Sequence, residues 1–453
     1  MHSSPQKRVI IITYYWPPSG GSGVQRWLKF SKYLTANGWQ PVIVAPQDAD
    51  YELVDHSLLA DVGEEVNVLR VPIREPYALY RKLTGSTDRK PAHEASPQPQ
   101  RNPGLLKRLA TYIRANWFVP DPKILWVKPV VHRLKDYLST HQADVILTTG
   151  PPHSVHLVGR QLKHLHPQLR WVMDVRDPWS QFDVHLSFGP GQRARSKNKR
   201  LEQACLRDAD LVMGTAYSMP DHLEPFDEDK YVTLTNGFDG ADFPDASKAA
   251  PSTAKHADVF RMMHTGLLSA ARNPVKLWQA LSDYLATRDA STTPRLEVHL
   301  IGQVDDRVKA SIASFPKLAA CCTFEPWLPH AEIIERYAEA DLFLLCPNRS
   351  DNAKGQINGK LFEYLAAGKP ILHIGPYDAD NTRILDATHA GLTVPPNDLD
   401  GMRESLRLFI GGTFQGNAHA LRPSERMRFE RSYLASQLAG HLNKLVQQVP
   451  TAS

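Results

Sequence analysis

The sequence predicts an α/β fold of two Rossmann-like domains facing a cleft. Three observations carry this expectation. The 453 residues exceed what one hydrophobic core usually supports. Strand-like and helix-like patterns alternate through both halves of the chain. In each half a strand also runs through a glycine-bearing loop into a helix, which suggests a ligand held between two domains.

In the first half, a strand is expected over 7–13, followed by a loop containing Gly20, Gly21 and Gly23. Val24, Trp27, Leu28, Ser31 and Leu34 then mark one face of a helix over 24–37, with Gly38 placed to end it. Strands are expected over 40–45, 66–71, 144–149, 170–175 and 210–215. Helical patterns separate most of them, as a parallel sheet requires. The polar, proline-bearing stretch 85–104 reads as a mobile loop.

Apolar periodicity disappears over 239–258, which marks an interdomain linker between an N-terminal domain over 1–238 and a C-terminal domain over 259–424. Beyond the linker, strands are expected over 259–264, 296–301, 341–346 and 370–374, with helices over 274–287, 331–338 and 360–367. A final helix over about 425–449 is expected to pack, through the segment 425–453, back across the first domain.

Hydrophobic residues at 42% and charged residues at 22% suit a globular protein in water. The excess of 53 basic over 48 acidic residues is only +5, so bulk charge offers no case for nucleic acid. Cys205, Cys321, Cys322 and Cys346 lack zinc or disulfide spacing. With no apolar leader and no apolar run of about 18 residues, a cytoplasmic location is expected.

The loop Gly21-Ser22-Gly23-Val24-Gln25-Arg26 begins like a dinucleotide fingerprint, but Arg26 fills the place of its third glycine. The following strand also ends at Ala45-Pro46 without an acidic residue for a ribose. NAD binding is therefore weakly supported. Two readings remain for Gly20, Gly21 and Gly23: a close approach of ligand to backbone N–H groups, or a tight turn. In the second half, Lys360 and Glu363 share a helical face. They fit either an exposed ion pair or a site in which Lys360 neutralises a diphosphate and Glu363 accepts from a ribose diol. Arg272, after a strand end and Gly266, adds a second phosphate-facing cation. Three Asp-x-Asp triplets (Asp48/Asp50, Asp208/Asp210, Asp378/Asp380) lack companion ligands, so turns are favoured over a metal site.

Taken together these strings resemble the GT-B retaining glycosyltransferases of family 4, over about residues 8–446. The supporting strings are Tyr14-Tyr15-Trp16-Pro17-Pro18 with its glycine-rich continuation, Thr149-Gly150-Pro151-Pro152-His153-Ser154, Asp174-Val175-Arg176-Asp177-Pro178-Trp179, Asn236-Gly237-Phe238-Asp239, and the run 360–370. The resemblance implies a nucleotide-sugar co-substrate on the C-terminal domain, a glycan or lipid-linked acceptor on the N-terminal domain, and no cofactor or metal. It implies that Arg272 and Lys360 bind the donor diphosphate and stabilise its developing charge, and that Glu363 holds the ribose. Gly20, Gly21 and Gly23 would approach the donor phosphate or acceptor. Asp177 fits either a contact to acceptor or sugar or a loop-capping carboxylate before Pro178; His153 fits either an acceptor-side cleft contact, with Arg176, or a hydrogen-bonded loop histidine. Two departures concern the sugar: Gly355 stands where many members have Glu, and Arg176-Asp177 where many have His. The implied chemistry is same-face substitution in surface-polysaccharide assembly; a catalytically silent nucleotide-sugar binder is the alternative.

The segment 105–118 places Leu105, Leu109, Tyr112 and Ile113 on one side of a helix, with Lys107, Arg108 and Arg114 elsewhere. It fits an amphipathic helix packed on its own domain, or one lying in an anionic membrane interface, which would associate the protein with the inner membrane surface. Arg193, Arg195, Lys197, Lys199 and Arg200 form a basic cluster that suits an acceptor phosphate or a solvated face.

Overall fold

The computed structural model describes residues 6–51, 53–75, 105–181, 188–223, 227–243, 258–289, 291, 293–348, 353–414 and 423–447. The loop expected over 85–104, and residues 244–257 of the expected linker, lie outside them. The chain divides into two units, Met1–Thr235 with Leu434–Ser453, and Asn236–Tyr433.

In the first unit the strands are β1 (Lys7–Ile12), β2 (Trp39–Gln47), β3 (Asn67–Pro72), β4 (Val145–Gly150), β5 (Arg170–Val175), β6 (Leu211–Gly214) and β7 (Tyr231–Thr233). They form one parallel sheet in the order β3-β2-β1-β4-β5-β6-β7. Helices α1 (Ser22–Ala36), α2 (Leu105–Trp117), α3 (Ile124–Leu138), α4 (His156–Leu165) and α5 (Gln192–Asp208) belong to this unit. Helix α1 starts after Gly21 (φ 85°) and gives way to Gly38 (φ 80°), two positions where a side chain would strain the backbone.

The second unit has β8 (Val259–Thr265), β9 (Arg295–Ile301), β10 (Cys322–Glu325), β11 (Leu342–Leu345), β12 (Ile371–Ile374) and β13 (Gly391–Val394). Their parallel order is β10-β9-β8-β11-β12-β13. The helices are α6 (Val275–Thr287), α7 (Asp306–Ala313), α8 (Pro316–Ala319), α9 (His330–Tyr337), α10 (Gly359–Ala367), α11 (Asp380–Thr388), α12 (Leu399–Ile410) and α13 (Pro423–Met427). Each sheet thus starts in its middle, grows outward, and reverses beside its first strand. A crevice forms there, because the connections on either side leave in opposite directions.

The single last helix expected from 425 is two helices, α13 and α14 (Arg431–Gln447). The helix breaks because the intervening backbone is engaged elsewhere: Phe238 N–H donates to Phe429 O at 3.0 Å, and Arg431 N–H to Phe238 O at 2.8 Å. The same pairing places Phe238 in the second unit, so the division falls at Thr235 rather than after Phe238. On α14, Leu434, Leu438, Leu442 and Leu445 recur at helical spacing and join the core of the first unit with Val9, Ile11, Trp27 and Trp39. Each such leucine contributes about 1.5–3 kcal/mol on burial.

Candidate functional site

The polar residues of the second unit gather at the carboxyl ends of β8 and β11, where its sheet reverses. After β8 the chain turns through Gly266 (φ 107°), and after β9 through Gly302 (φ 122°). A Cβ on Gly302 would lie 2.4 Å from Gly266 O, so the two loops fit only with hydrogen at that position. From Gly266 the chain reaches a short 3-10 turn, Ala270–Arg272, before α6. The half-buried Arg272 then folds back. Its Nη1 donates to Leu267 O at 3.0 Å and its Nε to Asn348 Oδ1 at 2.7 Å. Asn348 follows β11, so this bond spans the reversal.

Helix α10 begins beside that point and ends at Gly368 (φ 70°). Leu361, Phe362, Tyr364 and Leu365 are buried, which turns Lys360 and Glu363 outward on a shared face. Lys360 Nζ donates to Glu363 Oε2 at 2.8 Å, their side chains 33% and 23% exposed. The pair is no isolated surface contact. From α9, the Tyr337 hydroxyl donates to the same Oε2 at 2.5 Å and lies 3.2 Å from Thr265 Oγ1. Burial, and then the Glu363 charge, push the Tyr337 phenol well above its ordinary pKa, so it stays a donor. Tyr364 stacks on Phe343 with ring centres 4.1 Å apart, and its hydroxyl accepts from Thr265 N–H at 3.0 Å.

Two supports of this site escaped the sequence reading. Buried Asn381 on α11 accepts from Asn358 N–H at 3.3 Å and donates to Gln356 O at 3.0 Å, holding the approach to α10. His264, in β8, bonds Leu344 O through Nδ1 at 2.9 Å. Burial, with the Arg272 and Lys360 charges adding to it, lowers the pKa of His264 to about 4. Neither residue stands in a motif, and neither does Tyr337, which reaches Glu363 from another helix. The two cations Arg272 and Lys360, beside the first turn of α10, make an electropositive mouth.

In the first unit the expected residues also lie at carboxyl strand ends. Gly20 is packed locally: its N–H donates to Leu53 O at 2.8 Å, and a Cβ there would come 2.8 Å from the Leu53 side chain. At Gly23 a Cβ would lie 3.2 Å from the Tyr15 ring. Arg26, in the place of the third fingerprint glycine, is fully buried. It pairs with Asp174 at 3.1 Å and donates to Leu234 O and Thr235 O at 2.8 and 2.9 Å. Asp174 also accepts from Trp27 Nε1 and Thr149 Oγ1 at 2.8 and 2.7 Å. A glycine at 26 would leave that carboxylate buried without its charge partner, which is the physical reason the dinucleotide pattern stops there.

Arg176 ties three loops together. Its Nε, Nη1 and Nη2 donate to Gly150 O at 3.2 Å, Gly23 O at 2.9 Å and Pro151 O at 2.9 Å. Asp177 follows it, half-buried. His153 is buried, with its ring stacked 5.3 Å from that of Trp179, while Asn198 on α5 accepts from Trp179 Nε1 at 2.8 Å.

Among the described residues no group of three or more His, Cys, Asp or Glu is placed to hold a metal. Of the Asp-x-Asp triplets, Asp208 pairs with Arg160 at 2.7 Å, and Asp210 with Lys163 at 2.8 Å. No described helix is long and apolar enough to cross a membrane.

Two parallel Rossmann-like sheets, each carrying polar residues where its strand order reverses, define the two-domain GT-B glycosyltransferase fold. Solved structures share it over nearly the whole chain. One is a glycosyltransferase from Rickettsia africae, with TM-score 0.62, 14% identity, and 98% of this chain and 100% of that chain covered. The sucrose-phosphate synthase of Thermosynechococcus elongatus gives 0.60 at 16% identity, covering 97% and 99%. HepE from Anabaena, solved with UDP-glucose, gives 0.57 at 13% identity, covering 96% and 99%. At such identities the likeness is one of fold. No protein-family model and no curated protein sequence matches the chain.

Proposed function

We propose that this protein is a retaining glycosyltransferase that moves a sugar from a nucleotide diphosphate donor to a glycan or lipid-linked glycan, in surface-polysaccharide assembly. The observation that carries this reading is the convergence of Arg272, Lys360 and Glu363 where the second sheet reverses. On this reading Arg272, Lys360 and the first turn of α10 face the donor diphosphate. They stabilise the negative charge that grows on the phosphate as its bond to the sugar loosens. Lys360 Nζ turns from Glu363 to phosphate when the donor enters, and the carboxylate held by Tyr337 accepts from the ribose hydroxyls. The UDP-glucose complex of the similarly folded HepE supports a nucleotide sugar as the substrate class.

In the same reading Gly20, Gly21 and Gly23 form the wall the donor phosphate or acceptor approaches. Asp177 and His153 are acceptor-side contacts, and Arg176 positions the loops that carry them. The reaction needs no resident cofactor or metal. The enzyme works in the cytoplasm at the inner membrane surface.

A thermal-shift screen against UDP-, GDP- and dTDP-sugars tests the donor assignment. A ligand that binds only the folded state at about 100 times its Kd adds about 2.7 kcal/mol of stability. The expected result is a clear rise in Tm with one nucleotide class, lost in Glu363→Ala and reduced in Lys360→Ala. No shift with any donor, together with no release of nucleoside diphosphate, refutes the reading.

A further inference from the structure

Two neighbouring helices of the first unit turn an apolar and a basic surface outward together. On α2, Leu109, Tyr112 and Trp117 are 55%, 60% and 75% exposed, whereas Ala115 is buried. At about 100° per residue the three exposed side chains span an arc of about 140°, on the side away from Ala115. A helix of an ordinary domain does the reverse, burying its bulky apolar side chains and leaving the rest in water. Clustered apolar exposure of this kind marks a contact surface.

The end of α2 is fastened to the start of α5. Asn116 Oδ1 accepts from Gly191 N–H at 2.8 Å, and the Arg114 guanidinium lies 3.8 Å over the Phe188 ring. On α5, Ala194, Asn198, Glu202 and Cys205 face inward at helical spacing. Arg193, Arg195, Lys197, Lys199 and Arg200 are all exposed. None of these five forms an ion pair within 4.0 Å among the described residues. They amount to as much positive charge as the net +5 of the whole chain. Charge that is balanced over the molecule is therefore concentrated on one helix, next to the exposed aromatics.

We propose that α2 and α5 form a docking surface for an anionic lipid bilayer. Tyr112 and Trp117 lie at the headgroup level, where amphipathic rings are favoured, with Leu109 in the acyl boundary. The cations of α5 lie against lipid phosphates. Charge complementarity alone would also suit a polyanion in water, but such a partner gives no role to exposed Leu109 and Trp117. A bilayer accounts for both. The inference extends the membrane part of the proposed function and rests on that reading only for its biological setting, since exposure and charge carry it independently of the donor site.

The test is flotation of the full-length protein, without any nucleotide sugar, with vesicles of phosphatidylcholine alone or mixed with phosphatidylglycerol. The protein should partition onto the anionic vesicles at low salt and leave them at high salt. Each lost cation near the surface should weaken partition about fivefold, so R195Q/K199Q should weaken it about 25-fold. Y112S/W117S should weaken it about tenfold with an unchanged circular dichroism spectrum. Absence of partition onto anionic vesicles at low salt overturns the proposal, as does partition unaffected by both double variants. Self-association abolished by W117S, or binding of a soluble polyanion, in either case without vesicle binding, overturns it too. Because no donor is present, failure here is distinct from failure of the thermal shifts.

Discussion

The Tyr337 hydroxyl donates to Glu363 Oε2 at 2.5 Å, and Lys360 Nζ reaches the same oxygen at 2.8 Å. An exposed i,i+3 pair on one helix is worth a few tenths of a kcal/mol and orients little. Here a buried phenol from another helix fixes the carboxylate, which turns a mobile pair into a directed acceptor.

Tyr337→Phe should therefore weaken donor binding about tenfold, because a hydrogen bond to a charged group contributes about 1.5–3 kcal/mol. Isothermal titration with the nucleotide sugar found in the screen measures this. Unchanged affinity would show that Tyr337 packs without orienting Glu363.

The buried Arg26–Asp174 pair has a different signature. Removing either partner leaves a charge in the core, so Arg26→Met or Asp174→Asn alone should destabilise the first unit by about 3–5 kcal/mol. The combined variant should lose less than the two single losses added together, which denaturant titration followed by a double-mutant cycle reads directly. Strict additivity would contradict the pairing.

Three buried histidines predict an acid-sensitive fold. Burial first of all lowers the pKa of His156 to about 3 and of His264 and His373 to about 4. Their unfolded values lie near 6.5. Between about pH 6.5 and 4 the unfolded chain binds protons that the folded chain refuses, so stability is present at neutral pH and falls on acidification. Each histidine contributes a slope of up to about 1.4 kcal/mol per pH unit. Melting curves between about pH 7.5 and about pH 5, in the same salt, should show Tm dropping with acid, and less so in His373→Phe. A flat Tm would show that these groups titrate alike in both states.

Much of the architecture was legible locally. The period of Val24, Trp27, Leu28 and Leu34 gives α1, and the change of pattern at Gly368 gives the end of α10. Of the edge strands, β3 was expected over 66–71, whereas β7, β10 and β13 were not legible. In β10, Thr323 and Phe324 are exposed, so no alternation distinguishes the strand from a loop, and β7 is only three residues long. The break between α13 and α14 was hidden for another reason: its cause, Phe238, is far away in the chain.

By itself, then, the sequence determined two α/β units, the outward face shared by Lys360 and Glu363, and the glycines that local backbone geometry requires. These follow from helix and strand periods and from allowed φ angles, which act over a few residues. Only the tertiary structure decided that Arg272 meets Asn348 76 positions away, that Tyr337 comes from a separate helix to Glu363, and that Arg26 answers Asp174. It also decided that the final helix, expected whole and packed across the first domain, breaks before α14 joins that core. Such meetings depend on strand order and on which faces pack, and no local period encodes either.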